Sequence, residues 1–355
     1  MCRPFVLRCS AYWLLLAGVA LLGAACGRTS ISPPEESPIE KEAQVQAGDY
    51  RLSGPYTHEN LTIYVIHGED KLKGKNLLTL EEALEQQKVV IHETQRVSEL
   101  AIENVSDDDV FVQSGDIIKG GQQDRVIAAD LIVSAKSGKL PLEAFCVEHG
   151  RWHQRGAEAV GSFDKCDNFN TSNAMKMAVR KSGDQGEVWK EVGNAQANLS
   201  KNVGGSVRSS VSATSLQLSL EDKKVQEAVE GYVKDLAEVP GEDDDAIGYA
   251  FAINGKVYSA DVYASHDLFK RLWPKLLKAG AIEAVAELEK GRHFETVGAE
   301  AVKAFLADAE QGKATSKDVG KRFAQVQQET DKNLLYETRD KEQEDVVLRR
   351  NYLAK

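Results

Sequence analysis

The chain has no second long apolar run, few cysteines and no cluster of basic residues, and each shortage narrows the choice of function. Beyond Leu22 nothing approaches the roughly 20 apolar residues that carry a helix across a bilayer, so no lasting transmembrane helix is expected. The net charge is −11, from 55 acidic and 44 basic residues. Nucleic acid and anionic lipid reward clustered Lys and Arg, so neither is expected as a partner. A Gly-x-Ser-x-Gly elbow, a P-loop, His-Glu-x-x-His and a dinucleotide fingerprint are also missing, which lowers hydrolase and nucleotidase readings. No cofactor is expected.

What is present first is an export signal. Arg3 and Arg8 precede an apolar run from Tyr12 to Leu22, and the small residues Gly23, Ala24 and Ala25 stand directly before Cys26. That is the order of a cleaved secretory signal. The segment from Leu21 to Cys26 resembles the bacterial lipobox, in which small side chains admit the signal peptidase and the cysteine thiol receives diacylglycerol. Gly23 stands where that pattern usually has a branched apolar residue. The resemblance implies loss of residues 1–25, lipid on Cys26 and export to a bacterial membrane. Gly27 replaces the aspartate associated with inner-membrane retention, which points to an outer membrane where the cell has one. More than one acyl chain makes such anchoring stable. Residues 26–48 contain Ser32-Pro33-Pro34-Glu35-Glu36-Ser37-Pro38, have little to bury and read as a tether.

Residues 49–160 read as β-rich. Leu61–Ile66, Val89–His92, Val110–Val112 and Val126–Val133 are apolar, partly alternating runs divided by Gly, Asp and Ser. Thr79 with Glu82 three residues on predicts a capping box at a short helix. Residues 161–218 turn polar and read as a partly mobile, exposed segment with one helix near 186–200, marked by Val188, Trp189 and Val192.

Residues 219–355 form an α+β part, expected to lie as a layer on the first within one domain. Val225, Ala228, Val229, Tyr232, Val233 and Leu236 share one helical face. Asn254-Gly255 between apolar runs signals a hairpin. Ser265 caps a helix with an apolar stripe from Leu268 to Leu277, kinked at Pro274. Further helices are expected near 298–311 and 316–330, then a final strand or packed tail over 346–353. The fold class is α+β: an antiparallel β-sandwich or jelly-roll-like sheet followed by a β-hairpin and packed helices.

Unusual residues concentrate in two turns. In the first, Gly120-Gly121 permits a tight turn, Gln122, Gln123 and Arg125 offer donors, and Asp124 offers an acceptor. The second runs Cys146-Val147-Glu148-His149-Gly150-Arg151-Trp152-His153. With Gly-Gly-Gln-Gln-Asp-Arg and Cys-Val-Glu-His-Gly-Arg-Trp, the chain resembles a little-characterised family, the domain associated with ADP-ribosylglycohydrolases and the rhodanese-phosphatase superfamily. The resemblance spans roughly Gly54 to Leu353 and implies a setting in ADP-ribose or phosphate metabolism. The candidate ligand-binding set is Gln122, Gln123, Asp124, Arg125, Glu148, Arg151 and Trp152. A plainer reading pairs Asp124, Arg125, Glu148 and Arg151 among themselves and packs Trp152 in the core.

Cys146 with His149 or His153 has the residue types of a nucleophile and base, and with Asp124 those of a zinc site. Spacing establishes neither, and no metal site is expected. Glu242-Asp243-Asp244-Asp245 lacks the calcium-loop spacing and reads as a solvated turn. Once Cys2 and Cys9 leave with the signal and Cys26 carries lipid, Cys146 and Cys166 remain, and an oxidising compartment suggests a disulfide stabilising by about 3 kcal/mol. The leading functional expectation is a membrane-anchored module that binds an unknown small-molecule or protein ligand. The alternative is an enzyme acting on a phosphorylated or ADP-ribosylated substrate.

Overall fold

A computed structural model of the chain describes residues 45–151, 155, 163–164, 168–170, 172–343 and 346–355. The signal, residues 26–44 with Cys26, and Trp152, His153 and Cys166 lie outside the described residues, while the end of the expected tether is a strand, Val45–Ala47, paired with Tyr50–Leu52. The first strands are β1 (Val45–Ala47), β2 (Tyr50–His58), β3 (Leu61–His67) and β4 (Leu77–Thr79), leading into α1 (Leu80–Glu85). The capping box forms as its spacing predicts: Glu82 N–H donates to Thr79 Oγ1 at 3.2 Å, and Thr79 N–H donates to the Glu82 carboxylate at 2.8 Å. There follow β5 (Val89–Arg96), β6 (Glu99–Asn104), β7 (Asp109–Val112), β8 (Ile117–Gly120), β9 (Arg125–Ile127), β10 (Leu131–Val133), β11 (Gly138–Cys146) and β12 (Phe163–Asp164). The run Val126–Val133, expected as one strand, is split between β9 and β10, which belong to different sheets.

The polar segment 161–218 is more helical than expected. It holds α2 (Asn173–Met177), a π-helical turn (Ala178–Ser182), α3 (Gln185–Asn202) and α4 (Leu216–Leu220). Asp184 caps α3, and Val188, Val192, Gln196 and Leu199 are buried along one face. Four buried positions are enough to dock a helix that is otherwise polar, so α3 is not an exposed excursion. Beyond α5 (Lys223–Leu236) come β13 (Ala246–Ile253), β14 (Lys256–Tyr263), α6 (His266–Ala286) and α7 (Ala299–Glu310). The chain closes with β15 (Lys313–Val319), β16 (Phe323–Glu329), β17 (Asn333–Asp340) and β18 (Val346–Ala354).

The fold is α+β and its sheets are mainly antiparallel. A nine-stranded sheet runs β1-β2-β3-β13-β14-β18-β17-β16-β15, a six-stranded sheet β12-β8-β9-β11-β6-β5, and a small sheet β10-β7-β4. The β13–β14 hairpin turns at Asn254 and Gly255, both at positive φ (53° and 72°), as a two-residue hairpin requires. It pairs edge to edge with β3 and β18 instead of lying over the first strands as a layer. The stretch 316–330, expected as a helix, is mostly the β15–β16 hairpin. Val319, Phe323 and Val326 suit a helical period, but Phe323 and Gln325 are buried with period two once β17 pairs with β16.

One face of the nine-stranded sheet is covered by α7, whose Val302, Phe305, Leu306 and Ala309 pack with Tyr64, Ile66, Leu335 and Tyr352. On the opposite face α6 stacks Phe269 on Tyr249 and sets Trp273 edge-on against it, and the helix continues through Pro274.

Candidate functional site

The two turns meet, but inside the protein. Gly121 is left-handed at φ 54°, and a Cβ there would lie 2.4 Å from the Phe163 ring and 2.5 Å from Glu93 Oε1, so only glycine fits. This tight turn folds Asp124 back, and its Oδ1 accepts from Gly120 N–H at 2.9 Å. Asp124 N–H donates to Glu148 Oε2 at 3.1 Å, and Gln123 Nε2 donates to the Glu148 carbonyl at 2.7 Å. Arg151 reaches Glu148 at 2.7 Å and donates to the carbonyls of Gly120 and Gly121. Arg125 donates to the Gln123 carbonyl at 2.8 Å and lies 3.6 Å from Glu93, which also accepts from Gln122 N–H.

A residue that the sequence did not single out completes the cluster. Arg155 forks onto Asp124 at 2.8 and 3.0 Å and reaches Glu148 at 3.1 Å, while Ser215 donates to Asp124 at 2.8 Å. Burial opposes the Glu148 charge, yet hydrogen bonds from Ser212, Arg151 and the Asp124 amide, with the Arg155 charge, hold its pKa below the ordinary value. Gln123, Asp124 and Glu148 are fully buried, and Arg125, Arg151 and Arg155 are nearly so. Two carboxylates are thus matched by two guanidiniums in a clamp joining the β8–β9 turn, the segment after β11 and the start of α4. A solute reaches these groups only if the turns part.

Cys146 is a free, buried thiol donating to Gln123 Oε1 at 2.8 Å. Burial raises its pKa to about 11, so almost all of it is thiol at neutral pH. Its proposed disulfide partner lies outside the described residues. Among the described residues, the group of three potential metal donors lies elsewhere, at His67, Asp243 and Asp245. Here Ser53 Oγ lies 2.7 Å from His67 Nε2, and His67 Nδ1 lies 2.8 Å from Asp245 Oδ1. The order is that of a hydrolase triad, but its burial is reversed: Ser53 is closed in while the Asp245 side chain is half exposed and also binds Arg51. The relay therefore ties β2 and β3 to the acidic turn rather than offering a nucleophile to solvent.

The richest polar surface that sequence reasoning missed crosses the nine-stranded sheet. Cross-strand register aligns Thr315, Gln327, Tyr336, Asn351 and Asp261 in one row, and Lys317, Gln325, Thr338, Arg349 and Tyr263 in the next. Toward the centre, Arg349 bridges Asp130 and Asp261 at 2.8 Å each. Burial opposes the Asp130 charge, but Arg349 and Arg180 outweigh it and its pKa falls. The outer ends of the rows open into a groove of about 580 Å³, closed on its other side by the π-helical turn, the β5–β6 turn and β11. Arg180 of that turn lines the groove and is held loosely. Its guanidinium lies 3.5 Å from Asp130 and from Asn351, stacks 4.2 Å from the Tyr336 ring, and leaves Nε without a partner. A π-helical turn is an uncommon element that recurs at functional sites.

Residues 49–349 match the ARG and Rhodanese-Phosphatase-superfamily-associated Protein domain, ARPP-1. The chain belongs to this family. No curated protein and no solved structure matches it. The ARPP-1 domain thus takes in both turns, Arg155, Arg180 and the polar rows as far as Arg349, while the signal and tether lie outside it. The alternation of Ser259, Asp261 and Tyr263, and of Arg349, Asn351 and Leu353, was the one sequence signal for this polar face. Nothing in the spacing named Arg155 or Arg180.

Proposed function

We propose that this ARPP-1 chain is a binding module, exported and held on a membrane by lipid on Cys26, that takes a small ligand in the groove at Arg180. The observation that carries the reading is Arg180 itself: a nearly buried cation with long contacts and an unpartnered donor, lining a solvent-open groove of ligand size. Its contacts to Asp130 and Asn351 are both 3.5 Å long, whereas Arg155 forks onto Asp124 at 2.8 and 3.0 Å and reaches Glu148 at 3.1 Å. The membrane part rests on residues 1–26. No helix among the described residues is long and apolar enough to cross a bilayer.

Thermal unfolding of the full chain against nucleotides, ADP-ribose, sugar phosphates and organic acids tests the reading. At least one compound is expected to raise the Tm of the wild type and not that of Arg180→Ala. Turnover of a phosphorylated or ADP-ribosylated compound would replace binding with the enzyme alternative.

A further inference from the structure

We propose that the groove recognises an anionic sugar, with its phosphate or carboxylate on Arg180 and its hydroxyls on the Gln325 and Gln327 row. This rests on the binding reading above and goes further by naming the ligand's chemistry. Arg180 lines the groove and its Nε has no hydrogen-bond partner. Buried donors without acceptors are costly, and an anion supplies several acceptors at once.

The outer wall has a different chemistry. Thr315 and Gln327 face each other across β15 and β16, and Gln325 faces Lys317, whose charge is taken up by Glu143. An amide offers both a donor and an acceptor, which matches neighbouring hydroxyls on a sugar ring. Four cations line the groove, Arg96, Arg180, Lys181 and Lys317, against two carboxylates, Glu99 and Glu143, on a chain whose net charge is −11. The carboxylates pair with Arg96 at 3.4 Å and Lys317 at 3.5 Å, which leaves the Arg180 end as the place for an anion. Exposed pairs of this kind contribute little and yield readily to a ligand.

Titration calorimetry on the full lipidated chain in detergent, with glucose 6-phosphate, glucuronate, inorganic phosphate and glucose, separates the contributions. Either anionic sugar, or both, is expected to bind at least about tenfold more tightly than phosphate or glucose. Arg180→Ala should remove the gain over glucose, and Gln327→Ala the gain over phosphate. Unliganded melting of Arg180→Ala and Arg180→Lys checks the fold, and if the alanine variant unfolds, Arg180→Lys and Gln327→Ala carry the test. Phosphate binding as tightly as the sugar phosphate, glucose binding as tightly as both anions, or tight binding indifferent to both substitutions overturns the proposal. If none of the four probes binds but another compound is held through Arg180, the sugar inference falls and the groove reading stands. If nothing in the wider panel depends on Arg180, both fall.

Discussion

Arg155 grips Asp124 with both arms of its guanidinium, Nη1 to Oδ2 at 2.8 Å and Nη2 to Oδ1 at 3.0 Å, where neither side chain meets solvent. Removing one member strands the other charge in the interior, which typically costs about 3–5 kcal/mol. Arg155→Ala and Asp124→Asn are therefore expected to lower stability by that order in urea unfolding. A midpoint unchanged in both variants would show that the clamp does not hold the two turns.

Cys146 should resist alkylation. With its thiol pKa raised to about 11 by burial, the thiolate fraction is very small at neutral pH and grows only as pH approaches that value. After reduction, iodoacetamide labelling of the folded chain is expected to be slow at pH 7 and fast once urea unfolds it. Mass spectrometry of the unreduced digest reports whether Cys146 is bridged to Cys166. Rapid labelling of native Cys146 at pH 7 would revive the thiol-enzyme reading.

Two buried groups give the stability profile opposite slopes. Burial lowers the Lys176 pKa from 10.5 to about 8, so between those values the unfolded chain holds a proton that the folded chain has released, and stability rises with pH. The rise is on the order of 3 kcal/mol, and Lys176→Met should flatten it. Burial raises the Glu283 pKa from 4.5 to about 7, so in that window the folded chain holds the extra proton and stability falls as pH rises. Glu283→Gln should remove the fall. Denaturant midpoints from pH 4 to 10 check both signs.

Cys26→Ser should stop incorporation of labelled palmitate and leave the chain uncleaved or soluble. Unchanged labelling would sink the lipoprotein proposal.

Local patterns were legible wherever the deciding forces act within a few residues. The Thr79–Glu82 capping box, the Asn254-Gly255 turn, the Ser265 cap and the α5 face all form from neighbours in sequence. The apolar spacing of 316–330 suits both a helix and a strand, and pairing with β17 selects the strand.

The sequence by itself determined the residue types of the two turns and the glycine that lets the first one close. Only the tertiary structure decided that they face each other in a buried clamp, because Arg155 and Ser215 arrive from segments whose spacing carries no trace of the meeting. The same holds for the groove. Its rows are assembled from β14, β15, β16, β17 and β18, and register between strands is set by the whole sheet, so Arg180 and Gln327 become neighbours of one cavity only when the chain has folded.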